Sequence, residues 1–183
     1  MVQKDVFPSK HNTQPADYDE RQAMTGMYQQ LAVELDTLAG AAGSVDDLMS
    51  VIVGRLQERL RHFDWVGFYM IEKGRLGEAP VLVLGPYVGA VSPHTRIPLN
   101  QGICGAAASS GQTVVVDDVN SDPRYLACSL ETKSEIVVPV WVKGSVVGEL
   151  DVDSHSPAAF RDDDRELVEH CAALVGRYLE KTT

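Results

Sequence analysis

Several motifs that mark large protein classes are missing from this sequence. It contains three cysteines and no CxxC pair, so it gives no basis for a disulfide framework, a zinc ribbon or a thioredoxin-like motif. No stretch approaches the roughly 20 apolar residues that cross a bilayer, and the N-terminal segment lacks the apolar core of an export signal. We therefore expect a cytoplasmic protein with reduced thiols.

Motifs for nucleotide binding and for common hydrolases are absent as well. There is no GxGxxG, P-loop, HExxH or GxSxG pattern, which removes support for dinucleotide, NTP, zincin and serine hydrolase functions. The formal net charge is -10, and no cluster of Lys and Arg interrupts it. Such a chain repels nucleic acid and anionic lipid, so neither is an expected partner.

The bulk composition is that of an ordinary globular protein. The 183 residues are 44% hydrophobic and 23% charged, which suffices for a proper core. Residues 1–16 are polar, contain two prolines and show little periodicity, which predicts a flexible N-terminal arm. We expect residues 17–183 to form a single domain.

Helical periodicity marks both ends of that domain. Apolar residues recur at three- and four-residue steps over residues 17–39, and again behind a capping motif at Ser44, predicting two N-terminal helices. A C-terminal helix is predicted over residues 162–179. The small residues of 102–110 predict a short helix in between.

Strand-like segments fill the middle of the chain. Residues 65–71 and 81–84 are expected to form a hairpin, with Gly85-Pro86 ending the second strand. The strongest β signal is a pair of apolar runs, 135–142 and 146–153, joined by a Lys-Gly hairpin turn. Short strands are also predicted at 95–98 and 113–117. These hairpins favour an α+β layered domain over a doubly wound parallel sheet.

Three acidic residues are predicted to meet at the open end of the second hairpin. Asp151 and Asp153 are two residues apart in a strand, so they point to the same face. Counting from the turn places Glu135 near them on the neighbouring strand. Carboxylates this close repel unless a cation, a ligand ammonium group or a shared proton compensates. Such a trio beside a thiol would suit a zwitterionic amino acid, whereas on a solvent-exposed face it would have no such meaning.

Two cysteines and two aromatic residues are further candidates. Cys104 starts the predicted short helix, where the helix N-terminus favours an anion, although a buried core position is the alternative. Cys128 lies in a loop and is either an accessible reactive thiol or an incidental surface one. Cys171 falls on the apolar face of the last helix and is expected to pack there. Trp65 and Tyr69 share a strand face, as core residues or as a wall for a small apolar group.

Six short segments together carry a family resemblance. In chain order they are Trp65–Tyr69, Leu84–Tyr87, Arg96–Pro98, Gly102–Gly105, Ser134–Val137 and Leu150–Ser154. In this order, and with Cys128 ahead of the fifth, they resemble the free methionine-(R)-sulfoxide reductases, a family built on the GAF domain. The resemblance implies a central six-stranded antiparallel sheet flanked by N-terminal and C-terminal helices.

The resemblance also implies site residues and a reaction. Cys104 and Cys128 match two redox cysteines, and Trp65 and Tyr69 match aromatic residues that wall the methyl group of the sulfoxide. The acidic substrate-binding and catalytic residues are matched by Glu135, Asp151 and Asp153. The implied reaction reduces free L-methionine (R)-sulfoxide through a sulfenic acid and then a disulfide, which thioredoxin reopens. It requires no metal or organic cofactor, it leaves open which cysteine attacks first, and a homodimer is compatible with it.

One position departs from the family pattern. Members usually carry a third cysteine two residues before the Arg-Ile-Pro segment, where this chain has His94. In three-cysteine members that residue can form a disulfide with the counterpart of Cys128. The resemblance therefore implies that recycling here uses Cys104 or an external thiol directly.

Three other functions compete with this interpretation. A GAF domain that binds a small molecule without turnover is the main alternative, because the fold hosts many sensors. A cyclic-nucleotide GAF domain is disfavoured, since its phosphate would meet the three acids. A structural dimerisation domain driven by the N-terminal helices is compatible with either activity.

Overall fold

The computed structural model describes residues 15–74, 78–127 and 129–182, with the side chains of residues 15–21 left out. Within these ranges the α-helices are α1 (Pro15–Ala41), α2 (Val45–Arg59), α3 (Gly102–Ser110) and α4 (Asp162–Thr182). Helix α1 extends two residues beyond the predicted range 17–39 at each end. Its start therefore overlaps the predicted N-terminal arm of residues 1–16. Residues 1–14 of that arm lie outside the described residues. In the described part of the chain no helix is both long and apolar enough to span a membrane.

Six strands form one antiparallel sheet in the order β3-β2-β1-β6-β5-β4. The strands are β1 (Trp65–Glu72), β2 (Val81–Val88), β3 (Arg96–Pro98), β4 (Val114–Val116), β5 (Ser134–Val142) and β6 (Ser145–Ser154). With helices packed on this sheet, the protein has the predicted α+β fold with a six-stranded antiparallel core.

The two faces of the sheet have different partners. On one face, apolar residues of β1, β5 and β6 pack with α1, α2 and α4 in a large core that includes Phe68, Val138 and Leu150. On the other face, a smaller cluster contains Trp65, Tyr69 and residues of α3. Side chains alternate along each strand. The strand residues that alternate with those of the large core therefore point toward the second face.

The hairpin of β5 and β6 is closed by the predicted Lys-Gly turn. Lys143 and Gly144 both have positive φ, 48° and 78°, as a two-residue turn with the right-handed strand twist requires. Beyond the turn the register shifts by one residue between Trp141 and Val140, and this β-bulge pairs Glu135 with Asp153 and Val137 with Asp151. The predicted cross-strand proximity of Glu135 to the two aspartates is thereby confirmed.

The prediction that Gly85-Pro86 ends the second strand is wrong. Strand β2 continues through both residues to Val88. The pairing with β1 shifts here: Gly67 pairs with Tyr87, whereas Tyr69 pairs with Leu84. This bulge places two residues opposite one, which accommodates a proline that has no N–H to donate to the ladder.

Candidate functional site

Three carboxyl side chains line one face of β6. Glu149, Asp151 and Asp153 alternate with Leu150 and Val152, which belong to the large core on the opposite face. Across the hairpin, Asp153 is paired with Glu135. We call Glu135, Glu149, Asp151 and Asp153 the acidic cluster; each is buried.

Cys104 joins the acidic cluster from α3. Its Sγ lies 3.4 Å from Oδ2 of Asp151 and 3.8 Å from Oε1 of Glu135, with the thiol as donor. Helix α3 packs closely against the backbone of Pro98 and Leu99 because Gly105 carries no side chain. A Cβ at Gly105 would lie 2.9 Å from the carbonyl oxygens of both residues. The predicted short helix over residues 102–110 is confirmed, and the thiol of Cys104 in its first turn lies among carboxyl groups.

Burial governs the protonation of these acids. It is the largest cause of a raised pKa at Glu135, to which the charges of Asp151, Asp153 and Glu149 add. Burial also raises the pKa of Asp151 to about 7, although the Cys104 thiol lowers it. The pKa of Asp153 is raised by burial and then by Asp151 and Asp64. The cluster therefore holds protons at pH values where exposed carboxyl groups are ionised.

Glu149 was missed in the sequence analysis. It is 0% exposed, and among the described residues neither carboxyl oxygen has a hydrogen-bond partner. Burial and the charge of Asp151 raise its pKa, against the lowering effect of Cys104, so its carboxyl lies near both. The signal was the same strand parity that selected Asp151 and Asp153, continued by two residues toward the turn.

The two aromatic candidates lie beside the acids on β1. Trp65 is paired with Asp153 and Tyr69 with Glu149, and Gly67 between them is paired with Asp151. The rings of Trp65 and Tyr69 have centroids 6.2 Å apart. Each is fixed by its polar atom: Trp65 Nε1 donates to Ala90 O at 3.0 Å, and Tyr69 Oη to His94 O at 2.8 Å.

A cavity opens over the two aspartates. Its volume is about 50 Å³, and its described lining includes Asp64, Trp65, Ser92, Thr132, Asp151, Asp153 and His155. A single water needs roughly 10–15 Å³, so the cavity has room for a small polar group such as an ammonium. Cys104 and Glu135 are not among its described lining residues, and Cys104 contacts Asp151, which is.

The other two cysteines are Cys128 and Cys171. Cys128, a candidate nucleophile, lies outside the described residues. Its neighbour Ala127 is described, and the carbonyl oxygen of Ala127 lies 3.2 Å from Nε2 of His94. Cys171 is fully buried in the large core, as expected, and burial raises the pKa of its thiol.

Comparison with known proteins places this architecture in a family. Residues 44–179 match the GAF domain family. The chain is 35% identical over 127 residues to the free methionine-R-sulfoxide reductase of Escherichia coli (strain K12), covering 69% of this chain and 73% of that protein. It is 34% identical over 149 residues to GAF domain-containing protein A of Dictyostelium discoideum, covering 81% and 89% respectively.

A solved structure agrees with the sequence relatives. The X-ray structure of free methionine-R-sulfoxide reductase from Neisseria meningitidis in complex with its substrate has a TM-score of 0.79 and 32% identity, covering 86% of this chain and 90% of that chain. The chain therefore belongs to the GAF domain family and, within it, to the free methionine-R-sulfoxide reductases.

Proposed function

We propose that this protein reduces free L-methionine (R)-sulfoxide to methionine by cysteine chemistry. The observation that carries the proposal is the buried acidic cluster in contact with the Cys104 thiol, on a GAF fold shared with reductases of that name. Buried carboxyl groups need a compensating cation or proton. A free amino acid offers such a cation in its ammonium group.

Asp151 and Asp153 are the proposed ammonium site. Both line the cavity and both are buried, so an ammonium group between them would satisfy two carboxylates at once. The Oδ1 atom of Asp151 has no hydrogen-bond partner among the described residues, which leaves an acceptor for this purpose. Methionine within a polypeptide lacks this ammonium group, and the site would therefore discriminate against it.

Glu135 is the proposed proton donor. Burial and the neighbouring carboxylates raise its pKa well above the ordinary value, which is the direction in which a carboxyl group becomes a better general acid. It would donate its proton to the sulfoxide oxygen. Trp65 and Tyr69 would then pack against the methyl group and orient the sulfur.

Cys128 and Cys104 divide the proposed thiol chemistry. The Cys128 thiolate attacks the sulfur of the protonated sulfoxide, the substrate S–O bond breaks as the hydroxyl group is transferred to Cys128, and methionine leaves while Cys128 is oxidised to a sulfenic acid. Cys104, whose buried thiol donates to two carboxyl groups, is the proposed second thiol. It attacks the sulfenic acid, forming the disulfide and releasing water, and the dithiol of thioredoxin then restores both thiols.

The cysteine assignment is tested with two reductants. Wild type, Cys104→Ser and Cys128→Ser are assayed once with dithiothreitol and once with thioredoxin. We expect Cys128→Ser to be inactive with both, and Cys104→Ser to retain turnover with dithiothreitol only. Full activity of Cys128→Ser would move the nucleophile to Cys104, and a free substrate reduced no faster than its N-acetylated form would refute the ammonium site.

Several broader features are part of the same proposal. We place the protein in the cytoplasm, with residues 17–183 acting as one domain and a homodimer compatible with the reaction. Light scattering after size-exclusion chromatography determines the oligomeric state. A non-catalytic sensor remains the alternative function: calorimetry that detects tight sulfoxide binding without consumption would favour it.

A further inference from the structure

A thiol and two carboxyl groups converge here at the separations of a metal site. Cys104 Sγ, Glu135 Oε1 and Asp151 Oδ2 all lie within 4.8 Å of one another. With Zn–S near 2.3 Å and Zn–O near 2.0 Å, tetrahedral ligands are about 3.5 Å apart for a sulfur and an oxygen. The observed distances from Sγ are 3.4 Å to Asp151 and 3.8 Å to Glu135. Both sulfur–oxygen distances are therefore close to those of a tetrahedral zinc site.

A second observation indicates that the cluster lacks positive charge. Glu149 is fully buried next to Cys104 and Asp151, and neither of its oxygens has a partner among the described residues. The Oδ1 atom of Asp151 is likewise buried without a partner there. Unpartnered buried carboxyl groups are costly, and a divalent cation would offset that cost for several of them at once.

We propose that Cys104, Glu135 and Asp151 form a binding site for a divalent zinc-like cation, and that the bound cation blocks the proposed reduction. The mixed sulfur and oxygen donors favour Zn²⁺, because Mg²⁺ and Ca²⁺ prefer all-oxygen shells of six or more ligands. Water completes the shell. The cavity lined by Asp151 provides the entry path.

Binding and inhibition are separate consequences. Binding requires only the three donors and does not rest on the proposed reduction. Inhibition follows because the cation would occupy the Cys104 thiolate, the Asp151 carboxylate and the Glu135 proton donor together. The cation would also replace the protons of these groups, so affinity would fall as pH falls.

The test is a metal titration of the full chain. The protein is reduced with a phosphine, which brings no competing thiol, and Zn²⁺ is titrated against a chromophoric chelator. Co²⁺ serves as a spectroscopic probe, because a thiolate ligand gives a sulfur-to-metal charge-transfer band. We expect one equivalent of metal per chain and this band, with weaker binding at pH 6 than at pH 8.

Variants identify the ligands. Cys104→Ser should abolish the band and weaken Zn²⁺ binding by more than about 100-fold, since changes outside the ligand shell alone cost about 10–100-fold. Asp151→Asn, which keeps the thiol, should weaken binding independently. Cys128→Ser, Cys171→Ala and Asp153→Asn are matched controls that should keep the band. Circular dichroism of each variant establishes that it is folded.

Three results would overturn the site: no saturable binding by wild type at about 1 mM Zn²⁺, unchanged affinity in folded Cys104→Ser, or a band that depends on Cys128. Sulfoxide reduction measured with excess EDTA separates this inference from the proposed function. The absence of sulfoxide reduction both with and without EDTA would count against the reduction alone, whereas activity that is lost on adding EDTA would refute the blocking role. Zinc binding without inhibition would refute the blocking role.

Discussion

The Sγ atom of Cys104 lies 3.4 Å from Oδ2 of Asp151, although 47 residues separate the two along the chain. This contact joins the acidic cluster of β6 to the short helix α3. A cysteine that attacks a sulfenic acid must first lose its proton, and Asp151, with a pKa of about 7, is an acceptor matched to neutral pH. The same contact thus serves the proposed disulfide step and the proposed metal site.

The raised pKa of Asp151 predicts a stability that depends on pH. Between about pH 4 and pH 7 the folded state holds this proton and the unfolded state does not, so stability falls as pH rises through that window. Asp151→Asn removes this effect. The free energy of unfolding of Asp151→Asn minus that of wild type, measured by urea denaturation, should increase by about 1–3 kcal/mol from pH 5 to pH 8.

The control for that series is Asp46→Asn, because Asp46 is exposed in the first turn of α2. Its difference from wild type should stay nearly constant over the same range. A constant difference for Asp151→Asn would contradict the buried proton.

The buried carboxyl group of Glu149 is expected to lower the free energy of unfolding. Replacing its buried, unpartnered carboxyl by the similarly sized methionine should raise the free energy of unfolding by about 1–3 kcal/mol at pH 8. The exposed substitution Glu58→Met is the control and should change it by less than about 0.5 kcal/mol. Destabilisation by Glu149→Met would mean that this carboxyl is satisfied in solution.

Gly67 is expected to position Trp65. A Cβ at Gly67 would overlap the Trp65 ring and lie 2.9 Å from Cβ of Tyr87. Gly67→Ala should therefore displace the indole from the cavity and lower kcat/KM for the sulfoxide by about 10–100-fold. Gly54→Ala, whose Cβ meets nothing within 4 Å, should leave kcat/KM unchanged and stabilise α2 by about 0.5–1 kcal/mol. Equal kcat/KM values for Gly67→Ala and wild type would refute the proposal that Gly67 positions Trp65.

His94 predicts a rescue experiment. Its imidazole lies 3.2 Å from the carbonyl of Ala127, the residue before Cys128, so a cysteine at position 94 would lie near that loop. In Cys104→Ser, adding His94→Cys should restore thioredoxin-dependent turnover through a disulfide with Cys128. Adding Val91→Cys, at an 84% exposed position, should restore none. If Cys104→Ser with His94→Cys turns over with dithiothreitol but not with thioredoxin, recycling through a disulfide between positions 94 and 128 would be contradicted.

Local patterns predicted much of the fold and part of the site. Strand alternation and one Lys-Gly turn predicted that Glu135 lies near Asp151 and Asp153, whereas its pairing with Asp153 depends on a bulge near Val140 that the sequence pattern does not show. The continuation of β2 through Pro86 was not predictable, because it depends on a bulge that places Gly85 and Pro86 opposite the single residue Phe68 of β1. The contact of Cys104 with Asp151 depends on how α3 packs across the sheet, which no local periodicity encodes. Glu149 was predictable from parity, but its missing partners follow only from tertiary burial.

The most direct test of the proposed activity is a single reaction with a mixture of both sulfoxide epimers. Wild-type protein and excess dithiothreitol are incubated with equal amounts of free L-methionine (R)- and (S)-sulfoxide, and both epimers are followed by NMR. We predict that the (R) epimer disappears completely, methionine appears in equal amount, and the (S) epimer persists. Persistence of both epimers, or equal loss of both, would contradict the account.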